Sequence, residues 1–111
     1  MTVTHAVQGS ETLVSIIGSV RVQEADALAR ELKGILSQPP PVVILDLTSV
    51  EDVDVTFFQI LLAFQQSLVH ENRRLVMSKL TAGHPVGEGA ELVGLELKRQ
   101  FSFAEDGYEV Q

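Results

Sequence analysis

The chain has 111 residues, enough for one hydrophobic core, and its 45% hydrophobic and 21% charged content is that of a folded globular protein. Eight Lys and Arg against fifteen Asp and Glu give a formal charge of −7, which leaves no basic stripe to neutralise a nucleic-acid backbone or to hold anionic lipid. No cysteine is present, so disulfides, thiolate catalysis and Cys-based zinc or iron sites are excluded.

No apolar run approaches the roughly 20 residues of a membrane span, and the opening "MTVTHAVQGS" lacks the basic and apolar segments of a secretory leader. A single cytoplasmic domain over residues 1–111 is expected, with neither nucleic acid nor direct membrane insertion in its function.

In chain order, "TVTHAVQ" places Val3, His5 and Val7 on one side and reads as an edge strand, and "QGSE" supplies a hairpin turn. "TLVSIIGSVRV", Thr12 to Val22, is rich in β-branched and aliphatic residues, and its Gly18 predicts a bend or bulge. From Glu24 to Leu36 the apolar Ala25, Leu28, Ala29, Leu32 and Leu36 recur at helical spacing, and Pro39, Pro40 and Pro41 end that helix. "VVILDL", Val42 to Leu47, is continuous enough to be a central strand covered on both faces. Phe57, Ile60, Leu61, Phe64 and Leu68 then form the stripe of a second helix, which ends near "HENRR". "RLVMSKL", Arg74 to Leu80, is a third buried strand, and "TAGHPVGEG" is expected to be a loop. Ala90, Val93, Leu97 and Phe101 mark a last helix, with "FSF" open to adding a short strand. Strands alternating with helices after an opening hairpin predict an α/β fold with a mixed sheet.

Four carboxylates crowd the junction between the central strand and the second helix: Asp46, Glu51, Asp52 and Asp54. One reading makes them a magnesium pocket of the receiver type, since a hard cation takes several convergent oxygens. A receiver, however, alternates five strands with five helices from its first strand onward, and this chain opens with a hairpin. A second reading is a plain turn with a helix cap, in which Thr56 and Gln59 form a capping box and Asp52 and Asp54 favour the helix N-terminus.

A third reading rests on the stretch "VVILDLTSVEDVDVTFFQILLAF", which resembles the signature of STAS domains, the fold of anti-sigma factor antagonists: an aliphatic strand, Asp-Leu, a short turn, then Asp-Ser-Ser/Thr-Gly-Leu opening an amphipathic helix. "TLVSIIGSVRVQEADAL", "RRLVMSKL" and "HPVGEGAELVGLELKRQF" fall in the right order for the remaining elements, so the resemblance covers nearly the whole chain. It implies a single STAS-like α/β domain whose mixed sheet carries its helices mainly on one face. It also implies a non-catalytic module that binds a protein partner: a serine-kinase anti-sigma factor, a chemosensory or other signalling complex, or the cytoplasmic face of a lipid-transport ABC system. A homodimer and a bound nucleotide stay open.

By the same resemblance Asp54 matches the motif aspartate, Val55 falls on the serine that a partner kinase phosphorylates, Thr56 on the hydroxyl residue after it, and Phe57 on the usual glycine. Valine has no oxygen to phosphorylate, so the usual switch is expected to be missing unless a kinase accepts Thr56. The partner-binding residues implied are Glu51, Asp52, Asp54, Val55, Thr56 and Phe57, with the exposed side of the following helix.

Other constellations are weaker. His5, His70 and His84 have no second ligand at metal spacing and read as surface or loop histidines. "GHPVGEG" is glycine-rich, but no Lys-Ser/Thr follows and Glu88 opposes an anion, so a flexible connection is expected rather than a phosphate cradle. No serine sits in a G-x-S-x-G elbow. Neither a catalytic residue nor a metal or other cofactor is expected.

Overall fold

The computed structural model describes residues 1–104. Strand β1 spans Thr2–Gln8 and β2 spans Glu11–Val20. The two-residue turn between them, with Gly9 at φ 61°, joins them as an antiparallel hairpin. A 3-10 turn at Val22–Glu24 leads into helix α1, Ala25–Leu36. Strands β3, Val42–Asp46, and β4, Val50–Val53, follow, then helix α2, Val55–His70, and strand β5, Arg74–Met77. Helices α3, Pro85–Leu92, and α4, Leu97–Gln100, precede the two-residue strand β6, Ser102–Phe103.

The strands lie in the order β1-β2-β3-β5-β6, with β4 paired to β2 off this path. β1 is antiparallel and every other pairing is parallel. The mixed sheet anticipated from the opening hairpin is therefore present. Valines and isoleucines at alternating positions of β2, Val14, Ile16 and Val20, face the helical layer and are fully buried. Leu28, Leu32 and Ile35 of α1 and Phe57, Leu61, Phe64 and Leu68 of α2 complete the same core. Each such side chain contributes about 2 kcal/mol by leaving water, so the stripes at helical spacing decide which face of α1 and α2 turns inward.

The long strand β2 serves two neighbours on one edge. Its first half pairs with β3, and the part from Gly18 onward pairs with β4. Gly18, at φ 96°, is the bulge anticipated from the sequence, and the register there passes from Gly18 opposite Val50 to Ser19 opposite Asp52. Glu51 is thus the extra residue of the bulge, and it is exposed.

Three expectations need correction. The acid-rich segment after β3 is not a turn as far as the helix: Val50–Val53 form a strand, held as one because β2 extends past β3 and offers it an edge. "TAGHPVGEG" is not wholly a loop, since Pro85–Leu92 is helical with Pro85 in the first turn, where its missing N–H costs nothing. The last helix is broken in two, because Gly94 takes a left-handed φ of 76° and closes α3 well before α4 begins at Leu97.

Candidate functional site

Asp54 sits where β4 ends and α2 begins. Its backbone is extended, with φ −131° and ψ −175°, and its Oδ1 accepts the N–H of Thr56 at 3.0 Å. Its Oδ2 accepts the N–H of Val22 at 2.9 Å, at the start of the 3-10 turn before α1. One carboxylate therefore caps two helix starts and fixes their spacing. A carboxylate suits this position because both helix ends present unpaired N–H groups and partial positive charge.

Two neighbours stiffen the same corner. Asp52 on β4 accepts from Nη1 of Arg21 at 2.8 Å, and this bond, with the charge behind it, raises the Arg21 guanidinium above its ordinary value. Glu24 accepts the Arg21 backbone N–H at 2.9 Å. Asp46 turns into its own loop, where Oδ1 takes both the N–H and the hydroxyl of Thr48, at 2.9 and 2.6 Å. Asp46, Asp52 and Asp54 are thus committed to different donors, and among the described residues no group of three or more His, Asp or Glu is placed to hold a metal. Their separate commitments, rather than convergence, argue against the receiver-type pocket.

The capping box expected at Thr56 and Gln59 is replaced by the Asp54 cap, which starts α2 at Val55 and leaves Thr56 one position inside the helix. A carboxylate that can serve two helix starts is the better acceptor here than a hydroxyl that can serve one. Phe57 was expected at the partner surface, but its side chain is only 1% exposed and packs edge-to-face on Phe58, ring centroids 5.3 Å apart. The first turn of α2 points it inward, so its ring belongs to the core.

The outward residue is Val55, 49% exposed, and Val22 on the other side of Asp54 is 60% exposed. The corner therefore shows two valines around a satisfied carboxylate, and Glu51, farther back along β4 at the bulge, is also exposed. Val22 was not singled out by the sequence, because only the fold brings the β2–α1 connection against the start of α2.

Helix α3 borders the corner through His84, read from the sequence as a surface or loop histidine and found half-buried at the end of the loop before α3. His84 Nδ1 accepts the N–H of Val86 at 3.1 Å, and Nε2 lies 3.0 Å from the Thr48 carbonyl. An accepting Nδ1 requires the neutral tautomer with the proton on Nε2, which then donates to Thr48. His84 at one end and Gly89 against Val53 at the other set α3 alongside β4 in the same sense. This carries its last turn, with Leu92 88% exposed, toward the level of the α2 N-terminus.

Comparison with known proteins bears on this arrangement. Residues 3–97 match the family model described as "Mlab, STAS domain". The fold is similar to that of an anti-sigma factor antagonist from Mycobacterium paratuberculosis, at 22% identity over 92% of this chain and 83% of that one, with a TM-score of 0.77. It is similar to an RsbS variant from Moorella thermoacetica, at 17% identity over 96% and 88% of the two chains and a TM-score of 0.73. The phosphorylated form of SpoIIAA from Bacillus aligns at 10% identity over 96% and 94%, with a TM-score of 0.65. Among proteins of curated function none matches.

Proposed function

The chain belongs to the STAS domain family, and from that premise we propose that it is a non-catalytic, cytoplasmic regulatory module that binds a signalling protein through the corner between β4 and α2. The observation that carries this reading is Val55, an exposed apolar side chain at the first position of α2 beside a carboxylate already bound on both oxygens. Where a hydroxyl would permit a charge switch, this surface offers a constant apolar contact. Val22 extends that contact, and the exposed Glu51 on the same strand β4 adds a carboxylate that suits a basic partner face.

The partner on this reading is an anti-sigma factor or a signalling complex engaged without phosphorylation at the motif position. A second reading, the cytoplasmic face of a lipid-transport ABC system, draws on the same observation, because a permanent assembly also needs a contact that does not switch. No helix among the described residues is long and apolar enough to cross a membrane.

The test is gentle affinity capture from the native cells, with mass spectrometry of the co-purifying proteins and of Thr56. The expected result is a stable partner with Thr56 unmodified, and the partner's identity separates the two readings. A kinase partner with phosphate on Thr56 would overturn the constitutive contact and restore a switch one residue along the helix.

A further inference from the structure

The main run of strands ends in two unlike edges, with β4 lying off it beside β2. β6 has two residues, whereas β1 has seven and, among the described residues, pairs with β2 alone. Edge strands are ordinarily blunted by shortness, lysine, proline or a bulge, because a row of unpaired backbone groups is a template for another strand. β1, Thr-Val-Thr-His-Ala-Val-Gln, carries no Lys, Arg, Asp, Glu or Pro, and it pairs with β2 over all seven residues without a register shift. In a chain of charge −7, a strand free of carboxylates is a place where two copies meet with little like-charge repulsion.

The turn fixes which groups are available. A two-residue hairpin turn is closed by a pair that exchanges both backbone bonds, here Gln8 and Glu11. By alternation the N–H and C=O of Thr2, Thr4 and Ala6 point to β2, and those of Val3, His5 and Val7 point outward.

We propose that β1 is the pairing edge of a homodimer, in which a second copy of this chain aligns antiparallel to it about a two-fold axis at His5. The strand is self-complementary in that register: Val3 of one copy lies beside Val7 of the other, His5 beside His5, and Thr4 beside Ala6 on the opposite face. The outward residues then exchange roughly six backbone hydrogen bonds between the copies. Val7, 57% exposed in the single chain, gains an apolar neighbour. An unrelated strand would gain the backbone bonds alone, which is why the second copy is the better occupant.

β1 runs along one edge of β2, and β3 and β4 run along the other. Pairing through β1 therefore leaves the Val55 corner free, and the dimer adds self-assembly to the module proposed above without depending on its partner.

Sedimentation equilibrium of the purified chain, of His5→Lys, of His5→Glu and of their equimolar mixture tests the proposal, with melts to verify that each variant folds. The wild type is expected to dimerise with concentration. Each charged variant should associate about tenfold more weakly or less, because like charges face each other on the axis. The mixture should recover a heterodimer. A wild type that stays monomeric at its highest soluble concentration, a dimer retained by both charged variants, or a mixture that stays monomeric would overturn the proposal. Partner capture through Val55 is read separately, so either reading can fail alone.

Discussion

At one corner of the molecule a carboxylate, Asp54, gathers N–H groups from two helix starts; at another a guanidinium, Arg73, gathers carbonyls from one helix end and the loop after it. Arg73 donates through Nη1 to Leu36 O at 2.7 Å, and through Nη2 to Gln38 O at 2.7 Å and Pro40 O at 3.1 Å, with Glu71 Oε1 3.1 Å from Nη1. Both follow one rule, a charge placed where the helix ends leave unpaired groups of the opposite sign. They differ in what surrounds them. The Arg73 side chain is only 10% exposed and ties down the proline loop, whereas Asp54 is flanked by outward valines. The Arg73 knot is closed over and serves stability, with its Nε buried and unpartnered, whereas the Asp54 corner leaves apolar surface exposed, as the proposed contact requires.

The largest effect is expected at the closed knot. Arg73→Met strips the carbonyls of Leu36, Gln38 and Pro40 of a charged donor, and should cost about 3 kcal/mol. A thermal melt would show this as a fall of roughly 12 °C, with partner capture intact wherever the protein is folded. Asp54→Ala should cost about 1–2 kcal/mol through the lost cap, measured by denaturant unfolding. It should also weaken capture, because Val22 and Val55 lose the group that sets their spacing. A cost at Asp54 equal to that at Arg73 would erase the distinction between the two corners.

A smaller change probes the support beneath the acidic corner. A Cβ added at Gly89 would lie 2.8 Å from Val53 Cγ2 and 3.5 Å from the Phe58 ring, so α3 sits against β4 at a distance only glycine allows. Gly89→Ala gains helix propensity but must push α3 off Val53, with a net loss of about 1 kcal/mol. A stabilised Gly89→Ala chain would show that α3 yields freely and does not brace β4.

The same residues explain what could be read from the sequence. Val42–Asp46 and the α2 stripe were legible because their burial follows local periodicity. The strand Val50–Val53 was not, since four residues with adjacent acids carry no usable alternation and are ordered by the free length of β2. Helix α3 was hidden by Pro85, Gly87 and Gly89, residues that lower local propensity, and at Gly89 the close approach of Val53 overrides that signal. At the site, Asp54 and Val55 could be located by motif. The inward turn of Phe57 and the outward placement of Val22 depend on packing between segments distant in sequence. Arg73 stood out in no pattern, because the carbonyls it binds lie more than thirty residues earlier.

The most direct test places Val55→Asp beside Arg73→Met and measures partner captured per mole of folded protein, with a melt of each. An acid at the first position of α2 is favourable to the helix dipole, so Val55→Asp should melt like the wild type yet lose most of the captured partner. Arg73→Met should melt early and capture normally below its transition. Full capture by Val55→Asp would contradict the account, since the exposed valine at the start of α2 would then contribute nothing to binding.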